Sequence, residues 1–187
     1  DDHGFINAHN WLFTARGIPV IYYGSETGFM RGKAEHQGNR NYYGQERIDA
    51  GVSSPIYSNL KRIAQIRREN PALQRGLQLN LLLDGKRAAF YRVYQHGESA
   101  QTALVLLNKG SKPAKFSFSE KQLQAAGWKS AISGNTYSID SVKPSFKTEV
   151  PANGVEVLLF EGTLSSPPLL TELNRLQAGK VRRTSGG

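Results

Sequence analysis

From Gly76 onward the sequence falls into short strand-like runs at a regular beat. They are Leu77–Leu83, Arg87–Tyr94, Ala103–Leu107, Ala114–Phe118, Thr136–Ile139, Phe146–Val150 and Val155–Phe160. Between them stand Asp84-Gly85, His96-Gly97, Lys109-Gly110, Gly134-Asn135 and Asn153-Gly154. Asp-Gly and Asn-Gly pairs supply the positive φ angles of tight hairpins, because glycine has no Cβ to clash. Turns every ~8–12 residues specify an antiparallel sandwich. Ser119 to Ala126 can insert one short helical turn.

The residues before Gly76 have a different character. Phe5, Leu12 and Phe13, with Ile6 and His9 beside them, recur at helical spacing, so about Gly4 to Ala15 reads as an amphipathic helix closed by Arg16-Gly17. Ile18-Pro19-Val20-Ile21-Tyr22-Tyr23 follows as an apolar run without alternation, the pattern of a strand buried on both faces in a parallel sheet. Gly24 to Ser53 is a long polar loop with six glycines, and loops of that length are commonly functional. Ser54-Pro55 opens a second helix, with Ser as N-cap and Pro at the first helical position. Its stripe is Ile56, Leu60 and Ile63, its arginines fall mostly on other faces, and Asn70-Pro71 stops it. These pieces make one αβα unit, which is less than a domain. At the far end Ser166-Pro167 starts a helix carrying Leu169, Leu173 and Leu176, followed by Gly179 and a basic tail.

The chain has 187 residues, 39% of them hydrophobic and 10% aromatic, which is too apolar for a disordered polymer. No apolar run approaches the ~20 residues of a membrane span. With no cysteine there is no disulfide framework, thiolate metal site or cysteine nucleophile. The net charge of +9 invites anionic partners such as nucleic acid, lipid headgroups or acidic polymers. Most of the excess, however, sits in two stretches. Lys61 to Arg87 holds seven basic residues against two acidic, and Thr171 to Gly187 holds four against one. That concentration reads as a solvated helix face and a tail. Asp1 is not a Met and no leader-like segment follows, so a processed or truncated product is expected.

Glycosidase chemistry needs two carboxyl groups flanking the scissile bond. The candidates are Glu26, directly after the apolar run, with Glu35 and Glu46 in the loop. A glutamate anchoring the loop through backbone hydrogen bonds is the plainer reading of Glu26, and Glu35-His36 need not face each other. The four histidines, His3, His9, His36 and His96, lack ligand spacing, so no metal site is assigned. There is no G-x-S-x-G elbow and no phosphate loop. Arg40, flanked by Asn39 and Asn41 and followed by Tyr42-Tyr43, offers a guanidinium and amides beside aromatic faces. That set suits sugar hydroxyls and ring stacking, and equally nucleobases or a loop pinned by arginine hydrogen bonds.

The run Phe13-Thr14-Ala15-Arg16-Gly17-Ile18-Pro19-Val20-Ile21-Tyr22-Tyr23-Gly24-Ser25-Glu26 resembles the eighth barrel strand of the α-amylase family, glycoside hydrolase family thirteen. Gly38-Asn39-Arg40 is similar to the Asn-Arg of the loop after that strand. Leu60-Lys61-Arg62-Ile63 and Arg67 to Leu73 resemble the final barrel helix and its exit, and Val150 to Val157 the last strands of the sandwich called domain C. The match runs from about Gly4 to Glu161, in the manner of cyclodextrin glucanotransferases and bacterial α-amylases. The resemblance implies substrate contacts from His36, Asn39, Arg40, Tyr42 and Tyr43, although the family places an Asp where this chain has His36. It also implies that the catalytic Asp, Glu and Asp lie on earlier barrel strands, so no catalytic residue is assigned in this chain. Family members often bind structural calcium. No calcium ligand is identifiable in the sequence, and no cofactor is expected.

The reading is therefore α/β plus all-β: an incomplete TIM-barrel end, the final βα unit, followed by an antiparallel β-sandwich. Residues 1–76 are read as the C-terminal part of a (β/α)8 barrel, 77–163 as domain C, and 164–187 as a helix and basic tail. The implied function is that of the C-terminal part of a retaining α-glucan hydrolase or glucanotransferase, inactive by itself. Its partners would be starch or maltooligosaccharide and the remaining barrel, with neither membrane nor nucleic acid. The setting would be extracellular or periplasmic. The alternative is a non-catalytic basic β-sandwich module that binds polysaccharide or nucleic acid.

Overall fold

The computed structural model describes residues 2–29 and 44–184, and the glycine-punctuated half forms two facing antiparallel sheets. The strands are β1 (Leu77–Leu83), β2 (Arg87–His96), β3 (Ser99–Asn108), β4 (Ala114–Phe118), β5 (Ala126–Ser130), β6 (Thr136–Ile139), β7 (Phe146–Val150) and β8 (Val155–Phe160). Six pair in the order β1-β2-β3-β8-β5-β6, and β4 with β7 makes the second sheet. The β1–β2 turn shows why the hairpins close where they do. Gly85 takes φ +81°, and the Asp84 carboxylate accepts from the backbone N–H groups of Lys86 at 3.3 Å and Arg87 at 2.8 Å. All seven strand-like runs are strands. The eighth, β5, has no such signature: Ala126-Gly127-Trp128-Lys129-Ser130 is short and half polar. Only Trp128 and Ser130 are buried in it, and it is held by β6 and by two residues of β8.

Alternation along β2 and β3 divides the interior into two cores. Ala89, Tyr91, Val93, Leu104 and Leu106, with Trp128 of β5, face the second sheet and its Phe116, Phe118 and Phe146. Ala88, Phe90, Ala103, Val105 and Leu107 face the opposite way, onto helices. Those helices are α1 (Asp2–Thr14), α3 (Pro55–Glu69) and α4 (Pro71–Arg75), with α2 (Gln45–Gly51) between the first two in sequence. As the local signals require, the Ser54 side chain accepts from Tyr57 N–H at 3.1 Å and caps α3. Asn70, in extended geometry before Pro71, ends it.

The second sheet has only two strands, and α5 (Pro167–Thr184) supplements it. Leu169 and Leu173, with Leu164 ahead of the helix, enter the intersheet core, and α5 lies against β1. The C-terminal helix thus docks within its own chain. It also continues through Gly179, because an interior glycine costs only ~1 kcal/mol against alanine in a helix.

Helix α1 departs from its apolar pattern. Its buried residues are Asn7, His9, Asn10 and Thr14, while Phe5, Ile6, Leu12 and Phe13 are half-buried. Hydrogen bonds select this face. Asn7 Nδ2 donates to Asn108 O at 3.1 Å, and Asn10 Oδ1 accepts from Asn59 Nδ2 at 3.0 Å. His9 lies against Phe5, with ring centroids 4.6 Å apart, and its buried Nδ1 has no hydrogen-bond partner.

Two outcomes follow from these placements. Truncating Leu173 to alanine should cost ~2–5 kcal/mol in urea unfolding, the range for a buried leucine; a helix merely appended to the domain would show no change. Burial holds the His9 imidazole below its ordinary value of 6.5, so the folded state keeps it neutral while the unfolded chain takes up a proton. Stability is therefore lost as pH falls below about 6.5. His9→Leu should flatten that part of the profile in thermal melts across acidic pH; an unchanged slope would exclude His9 as its source.

Candidate functional site

The segment from α1 to the polar loop is positioned by two arginines. Nη1 of Arg67, on α3, donates to Phe13 O at 3.0 Å and Ala15 O at 3.3 Å, and its Nη2 to Gly17 O at 2.5 Å. Arg92, on β2 and 1% exposed, donates through Nη1 to Thr14 O at 2.6 Å and through Nε and Nη2 to Gly76 O. A helix C-terminus carries unpaired carbonyls and partial negative charge, which is what two guanidinium groups can satisfy. No carboxylate pairs with either among the described residues. Burial, then the charges of Arg67 and Arg16, push the Arg92 guanidinium down to about 10, and burial alone lowers Arg67.

Both positions are visible in the periodicity once charge is set aside. Four residues beyond Ile63 the α3 stripe reaches Arg67, and Arg92 has the same strand parity as Ala88 and Phe90. Gly76 completes the joint. A Cβ there would stand 2.4 Å from Ala72 O and 2.9 Å from Val93 N, so only glycine lets β1 begin this close to β2.

Beyond Gly17 the apolar run is not a strand among the described residues. Ile18 is 88% and Val20 77% exposed, and Tyr22 and Tyr23 are exposed too. The expected burial on two faces fails because no described strand lies alongside to receive the ladder bonds. The chain then tightens into the turn Ser25–Thr27. Gly24 has φ +82°, its carbonyl accepts from Phe29 N–H at 2.9 Å, and a Cβ on it would meet the Phe29 side chain at 2.7 Å. The Phe29 ring meets Tyr23 edge-on at 6.0 Å and lies under the Arg47 guanidinium at 5.6 Å. Phe29 and α2 are therefore joined on either side of the intervening residues 30–43.

His36, Asn39, Arg40, Tyr42 and Tyr43, expected from the resemblance as sugar contacts, lie outside the described residues, as does Glu35. Glu26 is in the turn Ser25–Thr27, and Glu46 is exposed in the first turn of α2. The remaining histidines are dispersed, with His3 exposed on α1, His9 buried, and His96 exposed at the end of β2. Arg92→Met would leave Thr14 O and Gly76 O without their charged donor. It should destabilise the chain by on the order of 2–4 kcal/mol in denaturant unfolding, whereas Arg62→Met, at an exposed position of α3, should be near neutral.

No protein-family model matches the sequence. An α-amylase of Streptomyces lividans is 28% identical over 182 residues, covering 86% of this chain and 19% of the relative. A cyclomaltodextrinase of Thermoanaerobacter pseudethanolicus is 35% identical over 100 residues, covering 54% of this chain and 16% of the relative. The chain therefore spans less than a fifth of the length of either protein. Among solved structures, the α-amylase of Geobacillus thermoleovorans complexed with acarbose superposes with a TM-score of 0.68 at 24% identity. That match covers 87% of this chain and 34% of the α-amylase, and it shows a shared fold. The chain is related to the α-amylase family, glycoside hydrolase family thirteen, and matches a part of each relative's length.

Proposed function

We propose that this chain is the C-terminal part of an α-glucan-active glycosidase or glucanotransferase. In this reading residues 1–76 close a (β/α)8 barrel, residues 77–163 are its domain C, and residues 164–187 are a helix and basic tail. The observation that carries the proposal is the exposed apolar run after α1. Ile18 and Val20 are turned to solvent although their residue types suit a buried parallel strand, while α1 before the run and α3 beyond it pack on the sandwich. Neighbouring strands of a barrel would give this run both its ladder bonds and its cover.

The chemistry proposed for the whole protein is a retaining double displacement. A carboxylate attacks the anomeric carbon as the glycosidic bond breaks, and a carboxylic acid protonates the departing oxygen. The same acid residue, now ionised, then takes a proton from the incoming water or sugar hydroxyl, which displaces the enzyme carboxylate. In this chain the work is substrate holding. The Arg40 guanidinium and the Asn39 amide would bond sugar hydroxyls, Tyr42 and Tyr43 would stack on pyranose rings, and His36 would border them. The Tyr23–Phe29–Arg47 cluster supports that loop from its described side. The acarbose bound by the G. thermoleovorans α-amylase supports an α-glucan as the ligand class.

Assaying the pure 187-residue chain with a chromogenic maltooligosaccharide separates the parts of this reading. No turnover is expected, and measurable hydrolysis would place complete catalytic machinery in this chain. Arg40→Ala in the full-length protein should lower kcat/KM for maltooligosaccharide by ~10-fold or more, the loss of a charged hydrogen-bonding partner; an unchanged value would remove Arg40 from the site.

A further inference from the structure

A concave site lies between α1 and the β1–β2 turn. It is a cleft of about 500 Å³, within the range that takes small molecules. Ala8, Ala88, Leu107 and one side of Trp11 line it, and Gly4 keeps the helix face low at one end. Trp11 is 42% exposed but not loose, since its ring stands edge-on against the buried Phe90 with centroids 5.7 Å apart. An indole anchored on a core ring and bordering a cleft is a preformed aromatic platform.

The charge on the rim is one-sided. Lys86 and Lys109 both line the cleft, and their backbones are joined by the bond from Lys109 N–H to Lys86 O, 2.9 Å long. Two like charges therefore stand at one end of the sheet, one just before β2 and one just after β3, and neither pairs with a carboxylate among the described residues. Arg87, also on the rim, already has its counter-ion in Asp84 at 2.5 Å. No acidic residue lines the cleft among the described residues. An apolar floor with a fixed indole and two ammonium groups without counter-ions is complementary to one class of ligand. We propose that this cleft binds a small organic anion with a flat apolar body, the ring system against Trp11 and the anionic group at Lys86 and Lys109. This proposal is independent of the α-glucan reading, because none of the proposed sugar-contact residues takes part.

The chain supplies its own reporters, since it has two tryptophans and the other, Trp128, is 1% exposed inside the sandwich. In a titration of the full chain with 2-naphthoate, followed by the indole N–H resonances, Trp11 should shift saturably while Trp128 stays still. 2-Naphthylmethanol, the neutral isostere, should bind at least about tenfold more weakly. Lys86→Gln with Lys109→Gln should weaken naphthoate by a similar factor, and added sodium chloride should do the same in the native chain. If Trp128 shows the double variant to be misfolded, the salt titration of the native chain decides. No saturable shift of Trp11, equal affinity for the neutral isostere, unaltered affinity in a folded double variant, or no salt dependence would each overturn the proposal.

Discussion

The joint between helices and sheet depends on two guanidinium groups buried against backbone carbonyls. Arg67 reaches from α3 and Arg92 from β2, and together they take up carbonyls of residues 13, 14, 15 and 17 at the exit of α1. Arg92 also holds Gly76, where the helical half passes into the sandwich. Burying a cation is costly unless its donors are met. Here they are met by peptide dipoles at a helix end rather than by a carboxylate. This ties position to charge, because the same bonds satisfy both the carbonyls and the guanidinium groups. The direction in which the chain leaves α1, and so the base of the aromatic loop, is set by that exchange.

The sandwich itself has an uneven second layer. Two strands cannot cover a six-stranded sheet, and Leu164, Leu169 and Leu173 fill space that further strands would otherwise occupy. Beside them, Tyr91 stacks on Trp128 at 6.0 Å, and its hydroxyl donates to Gln122 O at 2.9 Å. Burial pushes that phenol well above its ordinary value, which keeps it a neutral donor. The segment between β4 and β5 is thereby fastened to β2, and α5 closes over the adjoining edge.

Much of this was legible because its causes are local. Asp84-Gly85 and the alternation of Phe116 and Phe118 with Lys115 and Ser117 specify strands whatever lies around them. Ser54 and Asn70-Pro71 bound a helix in the same way. What stayed hidden depends on distant partners. The apolar residues of α1 mark a helix correctly but misstate its buried face, which is chosen by Asn108 and Asn59, far along the chain. Arg67 counted as surface charge because its acceptors belong to another helix. β5 lacks a pattern of its own and exists through its neighbours. The candidate sugar contacts were read from a family motif, and His36 to Tyr43 lie outside the described residues. The cleft beside Trp11 has no motif at all, since it joins α1 to a hairpin turn about 75 residues later.

The separation between Asn7 and Asn108, which share a hydrogen bond 101 residues apart in sequence, bears on how such a chain emerges during synthesis. Helices α1 and α3 leave the ribosome before any residue of β3 or β8 exists. The surface against which they bury Leu60 and Ile63 is therefore incomplete until β8 has been made. At elongation rates of ~5–20 residues per second the wait lasts several seconds, far longer than a helix or hairpin takes to form. During that interval the two amphipathic helices have only each other, or whatever precedes them, for shelter. The β1–β2–β3 meander, whose two hairpins join neighbours in sequence, is suited to form first and offer them a surface.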